Sequence, residues 1–237
     1  MKKFNELLNT SAKAHGHLCP GQVVGVRMAM LGCRLLGLDN PTSREQIKKF
    51  IVYVEMDRCT ADAVAHVTGV KLGRRSLKFM DYGIMAATFV HLETGKAFRI
   101  LSTEESRDLS YVYAPEENEK STQELLAYQR MPDNVLFRVQ KVHVKIDELD
   151  LPGPTRQKRA CSRCGQIIRD GREMILDGQP VCRPCSDTCY FSAPKEILWP
   201  DMDWSPVNDK NGKLEDRSGK ELPLNGSDQI QGFFKLK

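Results

Sequence analysis

Residues 50–67 read FIVYVEMDRCTADAVAHV, and this stretch sets the expected architecture of the chain. The β-branched run FIVYVE, residues 50–55, predicts a strand that is buried on both faces. Residues 59–67 follow it with the composition of a short helix. A buried strand that leads directly into a helix indicates a protein built from both kinds of element.

The regions on either side extend this pattern. Periodicity and turn residues predict helices over residues 2–14, 22–36 and 116–130, with Pro20 in the first turn of the second helix. Strands are predicted over residues 77–80, 86–91, 97–101 and 135–146. We therefore expect an α+β fold, in which flanking helices cover a mixed or antiparallel sheet.

The chain divides into four regions by composition. Residues 1–150 form the predicted core, and LPGPTRQKR, residues 151–159, is a basic linker that contains proline and glycine. Residues 160–192 form a small cysteine module. Residues 193–237 are polar and rich in glycine, and we interpret them as a disordered tail.

The overall composition is that of an ordinary globular protein. Of 237 residues, 41% are hydrophobic and 28% are charged, which excludes collagen-like, coiled-coil and wholly disordered chains. The most apolar stretch, residues 23–38, is interrupted by Arg27 and Arg34, so we expect no membrane span. Polar residues follow the N-terminal lysines at once, so we expect no secretory signal and a cytoplasmic location.

Four of the eight cysteines give the strongest signal in the sequence. Seventeen residues separate Cys161-x₂-Cys164 from Cys182-x₂-Cys185, a spacing that places four sulfur atoms around one ion. We predict a structural zinc ion, since four protein ligands close its coordination. Free cysteines and an iron or iron–sulfur site are the alternatives. Cys189 is left over, either as a substitute ligand or as a free thiol.

The net positive charge lies in the same module. Residues 153–185 carry a formal charge of +4, which equals the charge of the whole chain. Four thiolates bound to Zn²⁺ would reduce the charge of this segment to about +2, which is a weak positive charge for binding nucleic acid. Nucleic acid is therefore an unfavoured partner, although the charge does not exclude it.

The segment HGHLCPG, residues 15–21, gives a second signal. His15, His17 and Cys19 alternate, so in an extended segment their side chains share one face. All three are ligands that suit zinc, iron or nickel. Cys19 precedes a helix N-terminus, where the helix dipole lowers the pKa of a thiol and makes it a ligand or a reactive thiolate.

The predicted helix after the central strand adds further candidates. If it packs beside the HGHLCPG segment, Cys59 and Asp62 meet the two histidines in one pocket. Capping hydrogen bonds and a small core cysteine are the competing interpretations. We predict a second metal-binding or reactive site at His15, His17, Cys19 and Cys59. The candidates for catalysis are Cys19, Cys59 and Asp62.

Two long blocks of this sequence resemble the signature blocks of the FmdE family, the E subunits of formylmethanofuran dehydrogenase. The blocks are HGHLCPGQVVGVRMA and VEMDRCTADAVAHVTGVKLGRRSLKFMDYGIMAATFV, and both their order and their spacing agree. The resemblance covers roughly residues 5–190, and the cysteine module resembles the zinc-finger extension of many members. The chain departs from the family pattern at two places. One is Val70-Lys71, and the other is Ile84, a position at which the family has a lysine.

The resemblance implies a fold, a pocket and partners. The implied core is like the catalytic-domain half of glyceraldehyde-3-phosphate dehydrogenase, and the implied assembly is a homodimer. The family is linked to molybdenum or tungsten formylmethanofuran dehydrogenase, in which formyl oxidation belongs to the component that carries the metal–pterin group. The pocket that it implies would use His15, His17, Cys19, Glu55, Cys59 and Asp62.

Three functions are compatible with these observations. We favour a metal-binding accessory protein of a molybdenum or tungsten oxidoreductase, with a structural zinc and a second zinc or other transition metal in the core pocket. A zinc-finger adaptor or regulator that binds nucleic acid or protein is the alternative. A free-standing enzyme that uses the Cys19 or Cys59 thiolate is the third, and the sequence contains no base–nucleophile order that is specific to a known reaction.

Overall fold

The computed structural model describes residues 1–186 and 189–195, together with the backbone of residues 214–215 and 221–222. The chain divides into two compact units, Met1–Thr188 and Cys189–Lys237. Most of the tail that we predicted to be disordered lies outside the described residues. The first unit contains both groups of candidate metal ligands.

Helices and strands together form this first unit, which confirms the predicted α+β class. In the described residues the helices are α1 (Phe4–His15), α2 (Pro20–Leu36), α3 (Cys59–Thr68), α4 (Glu104–Asp108), α5 (Ser110–Tyr113), α6 (Lys120–Arg130) and α7 (Asp133–Leu136). The strands of the unit are β1 (Phe50–Val54), β2 (Leu77–Phe79), β3 (Ala86–His91), β4 (Ala97–Ser102), β5 (Phe137–Lys141), β6 (Lys158–Ala160), β7 (Ile167–Arg169), β8 (Met174–Leu176) and β9 (Gln179–Val181). In the second unit, β10 (Leu214–Glu215) and β11 (Glu221–Leu222) pair antiparallel.

One mixed sheet forms the centre of the fold, as predicted. Its five strands lie in the order β2-β1-β3-β4-β5. β1 is parallel to β2, and the other neighbouring strands are antiparallel. Val52 of β1 lies opposite both Leu77 of β2 and Phe89 of β3, so β1 is an inner strand with a partner on each side.

The two faces of the sheet are covered by different parts of the chain. Because side chains alternate along a strand, Val52 and Val54 pack against the helices in the large core, while Ile51 packs on the opposite face. On that opposite face, the segment of residues 142–146 lies over the sheet. The strand is therefore buried on both faces, as its sequence predicted.

Close packing between α2 and α3 brings the N-terminal ends of these helices together. A Cβ atom at Gly25 would lie 2.6 Å from both the Cβ of Ala63 and the carbonyl oxygen of Thr60. The Thr60 hydroxyl also donates a hydrogen bond to the Gly21 carbonyl at 3.1 Å. The absence of a side chain at Gly25 thus lets the two helix backbones approach each other directly.

The prediction of one long strand over residues 135–146 is wrong. α7 occupies its beginning, β5 covers only Phe137–Lys141, and the chain then leaves the sheet. The hydrophobic alternation beyond β5 results from the packing of residues 142–146 over the second face of the sheet.

The helix predicted to begin at residue 116 begins later, at Lys120. The Glu119 side chain accepts hydrogen bonds from the amides of Ser121 and Thr122, at 3.0 and 2.7 Å, and so caps α6. None of the described helices combines the length and the apolar composition that a membrane span requires.

The cysteine module consists of two small hairpins, β6–β7 and β8–β9. Asp177 and Gly178 have positive φ angles, of 50° and 75°, at the tight turn between β8 and β9. The buried residues that form the small apolar core of this module are Cys161, Ile168, Val181 and Cys182.

Charged groups join this module to the core of the first unit. The Asp170 carboxylate accepts hydrogen bonds from the Arg75 guanidinium at 2.5 Å and from the Arg156 amide at 2.8 Å. Both donors hold the pKa of Asp170 below its usual value, and the Arg156 amide has the larger effect. Arg172 also pairs with Asp150 of the core. The contacts therefore pack the module against its own core.

Candidate functional site

The four cysteines of the module converge on one point. The sulfur atoms of Cys161, Cys164, Cys182 and Cys185 all lie within 4.8 Å of one another. The Cys164 and Cys182 sulfur atoms are 3.6 Å apart. Cys161 and Cys182 are buried and Cys164 is exposed, so the cluster lies at the edge of the small apolar core. This arrangement suits one tetrahedrally bound cation.

Electrostatics at this cluster also favour a cation. The Cys182 amide donates a hydrogen bond to the Cys161 sulfur at 3.3 Å, and this bond is the main cause that lowers the pKa of Cys161 to about 6. Hydrogen bonds with the Cys182 and Cys164 thiols raise the pKa of Cys185 to about 12. Four thiolates crowded together repel one another, so a bound cation is needed for all four to be ionised near neutral pH.

The second group of candidate ligands lies between the first two helices. α1 ends at His15, where Gly16 with φ 104° reverses the chain, and α2 begins after Cys19 with Pro20 in its first turn. The potential ligand atoms of His15, His17 and Cys19 all lie within 4.8 Å of one another. The structure thus brings together three of the four residues predicted for this site.

Asp62 orients one of these histidines. Its carboxylate is 2.9 Å from Nδ1 of His15, and a carboxylate accepts, so Nδ1 is the donor; in the neutral ring Nε2 then carries a lone pair. Nε2 is buried and has no hydrogen-bond partner among the described residues. An unpartnered buried nitrogen next to an imidazole and a thiol fits a metal ligand, and a carboxylate behind the histidine is the usual outer partner of such ligands.

Cys59 lies beside this group without belonging to it. As the first residue of α3 it is close to Cys19, and its pKa is raised by burial first, then by interaction with the Cys19 thiol and by the charge of Asp62. The group of three mutually close ligand atoms does not include its sulfur. The structure therefore places Cys59 next to the site as a neighbouring thiol.

Glu55, which the resemblance assigned to the pocket, is turned away from it. Alternation along β1 points Glu55 to the same face as Ile51, opposite the helices. Its two carboxylate oxygens each accept a hydrogen bond from Arg99 at 2.7 Å. Glu55 therefore forms an ion pair on the second face of the sheet.

Sequence reasoning missed a buried glutamine that supports the site. The amide of Gln22 donates to the Cys59 carbonyl at 2.8 Å, and its oxygen accepts from the Ser11 hydroxyl at 2.5 Å. Gln22 is fully buried and joins α1, α2 and the start of α3. A single polar residue at the start of the apolar run GQVVGV was the available signal.

The fold and these two clusters define an α+β protein that carries two groups of side chains capable of holding a metal ion. Residues 14–143, more than half of the chain, match the family described as "FmdE, Molybdenum formylmethanofuran dehydrogenase operon". The chain belongs to this family, as its two sequence blocks predicted.

Two known proteins are similar to this chain. The crystal structure of a tungsten formylmethanofuran dehydrogenase FmdE-like protein from Syntrophus aciditrophicus matches with a TM-score of 0.52 and 17% identity, over 81% of this chain and 96% of that one. A protein of Archaeoglobus fulgidus named "Probable S-adenosyl-L-methionine-binding protein" is 24% identical over 211 residues. That alignment covers 83% of this chain and 57% of the relative, so the chain spans less than two thirds of the relative's length.

Proposed function

We propose that this protein is a metal-binding accessory protein of a molybdenum or tungsten oxidoreductase system. Family membership supports the biological context. The observation that carries the metal-binding role of the core is the buried, unpartnered Nε2 of His15 beside His17 and Cys19. In this proposal the four-cysteine cluster holds a structural zinc, and the core site holds a second zinc or another transition metal.

The two sites would have different roles because they offer different numbers of ligands. Four cysteines close the coordination of a zinc ion, whereas three protein ligands leave a position open. At the open site, a bound metal would supply a Lewis-acid position for a ligand. The chain's own contribution is to orient His15 through Asp62 and to leave His17 exposed, so that a partner molecule can reach the site.

Several finer features belong to the same proposal. They are the cytoplasmic location, the homodimer, the association with other components of an oxidoreductase, and the likeness of the core to the catalytic half of glyceraldehyde-3-phosphate dehydrogenase. Light scattering at micromolar concentration tests the dimer directly, since a single-chain mass would contradict it.

The alternative function, an adaptor that binds nucleic acid through the module, has less support. Arg159 forms an ion pair with Glu173 at 3.2 Å, and Arg172 pairs with Asp150. Arg163 donates to the Cys185 carbonyl at 2.6 Å. The two ion pairs use part of the positive charge on which phosphate binding would depend, and the Arg163 contact occupies one of its donors.

Metal analysis of the purified full chain tests the proposed function. We expect two metal ions per chain in the wild type and one in Cys19→Ser. The matched control is Cys33→Ala, which removes a fully buried cysteine of α2 that belongs to neither group and should leave both ions bound. A Cys19→Ser protein that keeps the wild-type metal content would contradict the core metal site.

A further inference from the structure

A cleft outside both metal-binding groups has the features of a ligand site. It has a volume of about 1010 Å³ and lies between the core and the segment that leads into the cysteine module. Its volume is at the upper end of the range of pockets that hold small organic ligands. The apolar residues that line it are Ile47, Leu92, Leu151 and Pro152.

The charged residues that line the cleft all have the same sign. They are Arg44, Lys48, Arg74 and Arg156, and none of the described lining residues is acidic. Within the described parts of the chain, Arg44, Lys48 and Arg74 form no ion pair. Cations gathered without a counter-charge repel one another, and a bound anion would relieve this repulsion.

One of these cations is already held in place. The Arg156 guanidinium donates to the Leu151 carbonyl at 3.0 Å and to the Pro152 carbonyl at 3.1 Å. Carbonyl groups fix its position without neutralising its charge. The Asp170 carboxylate, which accepts from the Arg156 backbone amide, is engaged by the Arg75 guanidinium. Arg156 therefore offers a positive charge that is already held in position. A ligand that binds it would pay little entropy for ordering this side chain.

We propose that this cleft binds a small organic anion that carries several clustered negative charges on an apolar or aromatic body. The cations would contact phosphate or carboxylate groups, and the apolar residues would contact the body of the ligand. The site is separate from the proposed metal centres, so its occupancy does not depend on the metal at His15.

Titration calorimetry on the full chain tests this proposal with probes that separate the two parts of the ligand. Adenosine triphosphate without magnesium carries phosphates on an aromatic body, and benzene-1,2,4,5-tetracarboxylate carries carboxylates. Inorganic triphosphate and adenosine each supply one part alone. We expect adenosine triphosphate, the tetracarboxylate or both to bind more tightly than inorganic triphosphate and more tightly than adenosine. Their affinity should fall as the salt concentration rises.

Charge variants then locate the binding. Replacing Arg44, Lys48 and Arg74 together by glutamine should weaken binding of the tighter probe by about 30-fold, because each exposed ionic contact contributes modestly. The matched control replaces three exposed lysines elsewhere, Lys13, Lys120 and Lys141, by glutamine and should change affinity by less than about twofold. Thermal melting should be the same for both variants, since all six side chains are exposed.

Three results would overturn the proposal. The first is that no probe binds the wild-type chain at millimolar concentration. The second is that the cleft variant binds as the wild type does. The third is an equal loss in the control, which would show that net charge alone attracts the probe.

Discussion

The two candidate metal groups differ in what holds their ligands together. In the cysteine module the ligands lie on short hairpins, and Cys161 and Cys182 themselves make up half of the small apolar core. In the N-terminal group the ligands lie at the ends of α1 and α2, which pack into a large core. We therefore expect a bound metal to stabilise the fold of the module. In the N-terminal group, by contrast, the packed helices hold the ligands in place.

The two groups of candidate ligands also differ in how far they are exposed to solvent. Two of the four module cysteines are buried, and four ligands close a coordination shell. In the N-terminal group His17 is exposed and only three ligands converge among the described residues. We therefore expect a structural role for the four-cysteine cluster and a role in binding for the N-terminal group.

The largest effect is expected for Cys164→Ala. Loss of one of four ligands should release one metal ion per chain and unfold residues 158–186, because structural zinc contributes about 10 kcal/mol or more to domains this small. Hydrogen exchange read by mass spectrometry should show lost protection in β6–β9 and unchanged protection in β3 and β4. Retained protection in the module would show that its fold does not need the metal.

A smaller effect is expected for Gly25→Ala. The new methyl group would lie 2.6 Å from Ala63 and from the Thr60 carbonyl, so α2 and α3 must separate, at a cost of about 1–3 kcal/mol in the free energy of unfolding. Metal binding at the N-terminal group should weaken as well, while the four-cysteine site is unaffected. Gly73→Ala is the control, because nothing lies within 4 Å of a Cβ atom there. Equal denaturation midpoints for the two variants would contradict this account.

The sequence predicted the parts of the fold that depend on local patterns. Periodicity and composition located α1 to α3 and β1 to β4 to within two residues, since the buried positions of each element follow its own local pattern. The same reasoning failed at the two ends of residues 135–146: α7 occupies the beginning, and beyond β5 the alternation of residues 142–146 arises from packing over a sheet face instead of pairing within the sheet. Periodicity reports which side chains are buried, and it does not report what covers them.

The candidate sites show a similar limit. Spacing alone predicted the convergence of the four module cysteines, and alternation predicted that of His15, His17 and Cys19. The orientation of His15 by Asp62, the burial of Gln22 and the pairing of Glu55 with Arg99 depend on how elements pack across the chain. Such contacts are set by tertiary geometry, which a single sequence does not display.

A smaller effect again, confined to metal affinity, is expected for Asp62→Ala. Without the carboxylate, the ring of His15 loses its orienting partner, and metal affinity at the N-terminal group should fall by about 10–100-fold. Competition with a chromophoric chelator measures this loss. Stability should change little, because the Asp62 side chain is 68% exposed. Asp108→Ala removes another exposed carboxylate and should leave the affinity unchanged. If both variants bind as the wild type does, Asp62 does not support a metal ligand.

The smallest effect is expected for Cys59→Ser, which decides whether the N-terminal site is open or closed. Cys59 lies beside Cys19 but outside the group of mutually close ligand atoms, so a serine there should retain the metal with an affinity within about threefold of the wild type. The supporting hydrogen bond from Gln22 goes to the backbone carbonyl of Cys59 and is unaffected by the change of side chain. Cys19→Ser, measured in the same titration, should lose the metal. If Cys59→Ser loses it equally, the neighbouring thiol moves in to complete a four-ligand shell when metal binds. The N-terminal centre would then be closed like the four-cysteine site, and the distinction between a structural and a binding metal would fail.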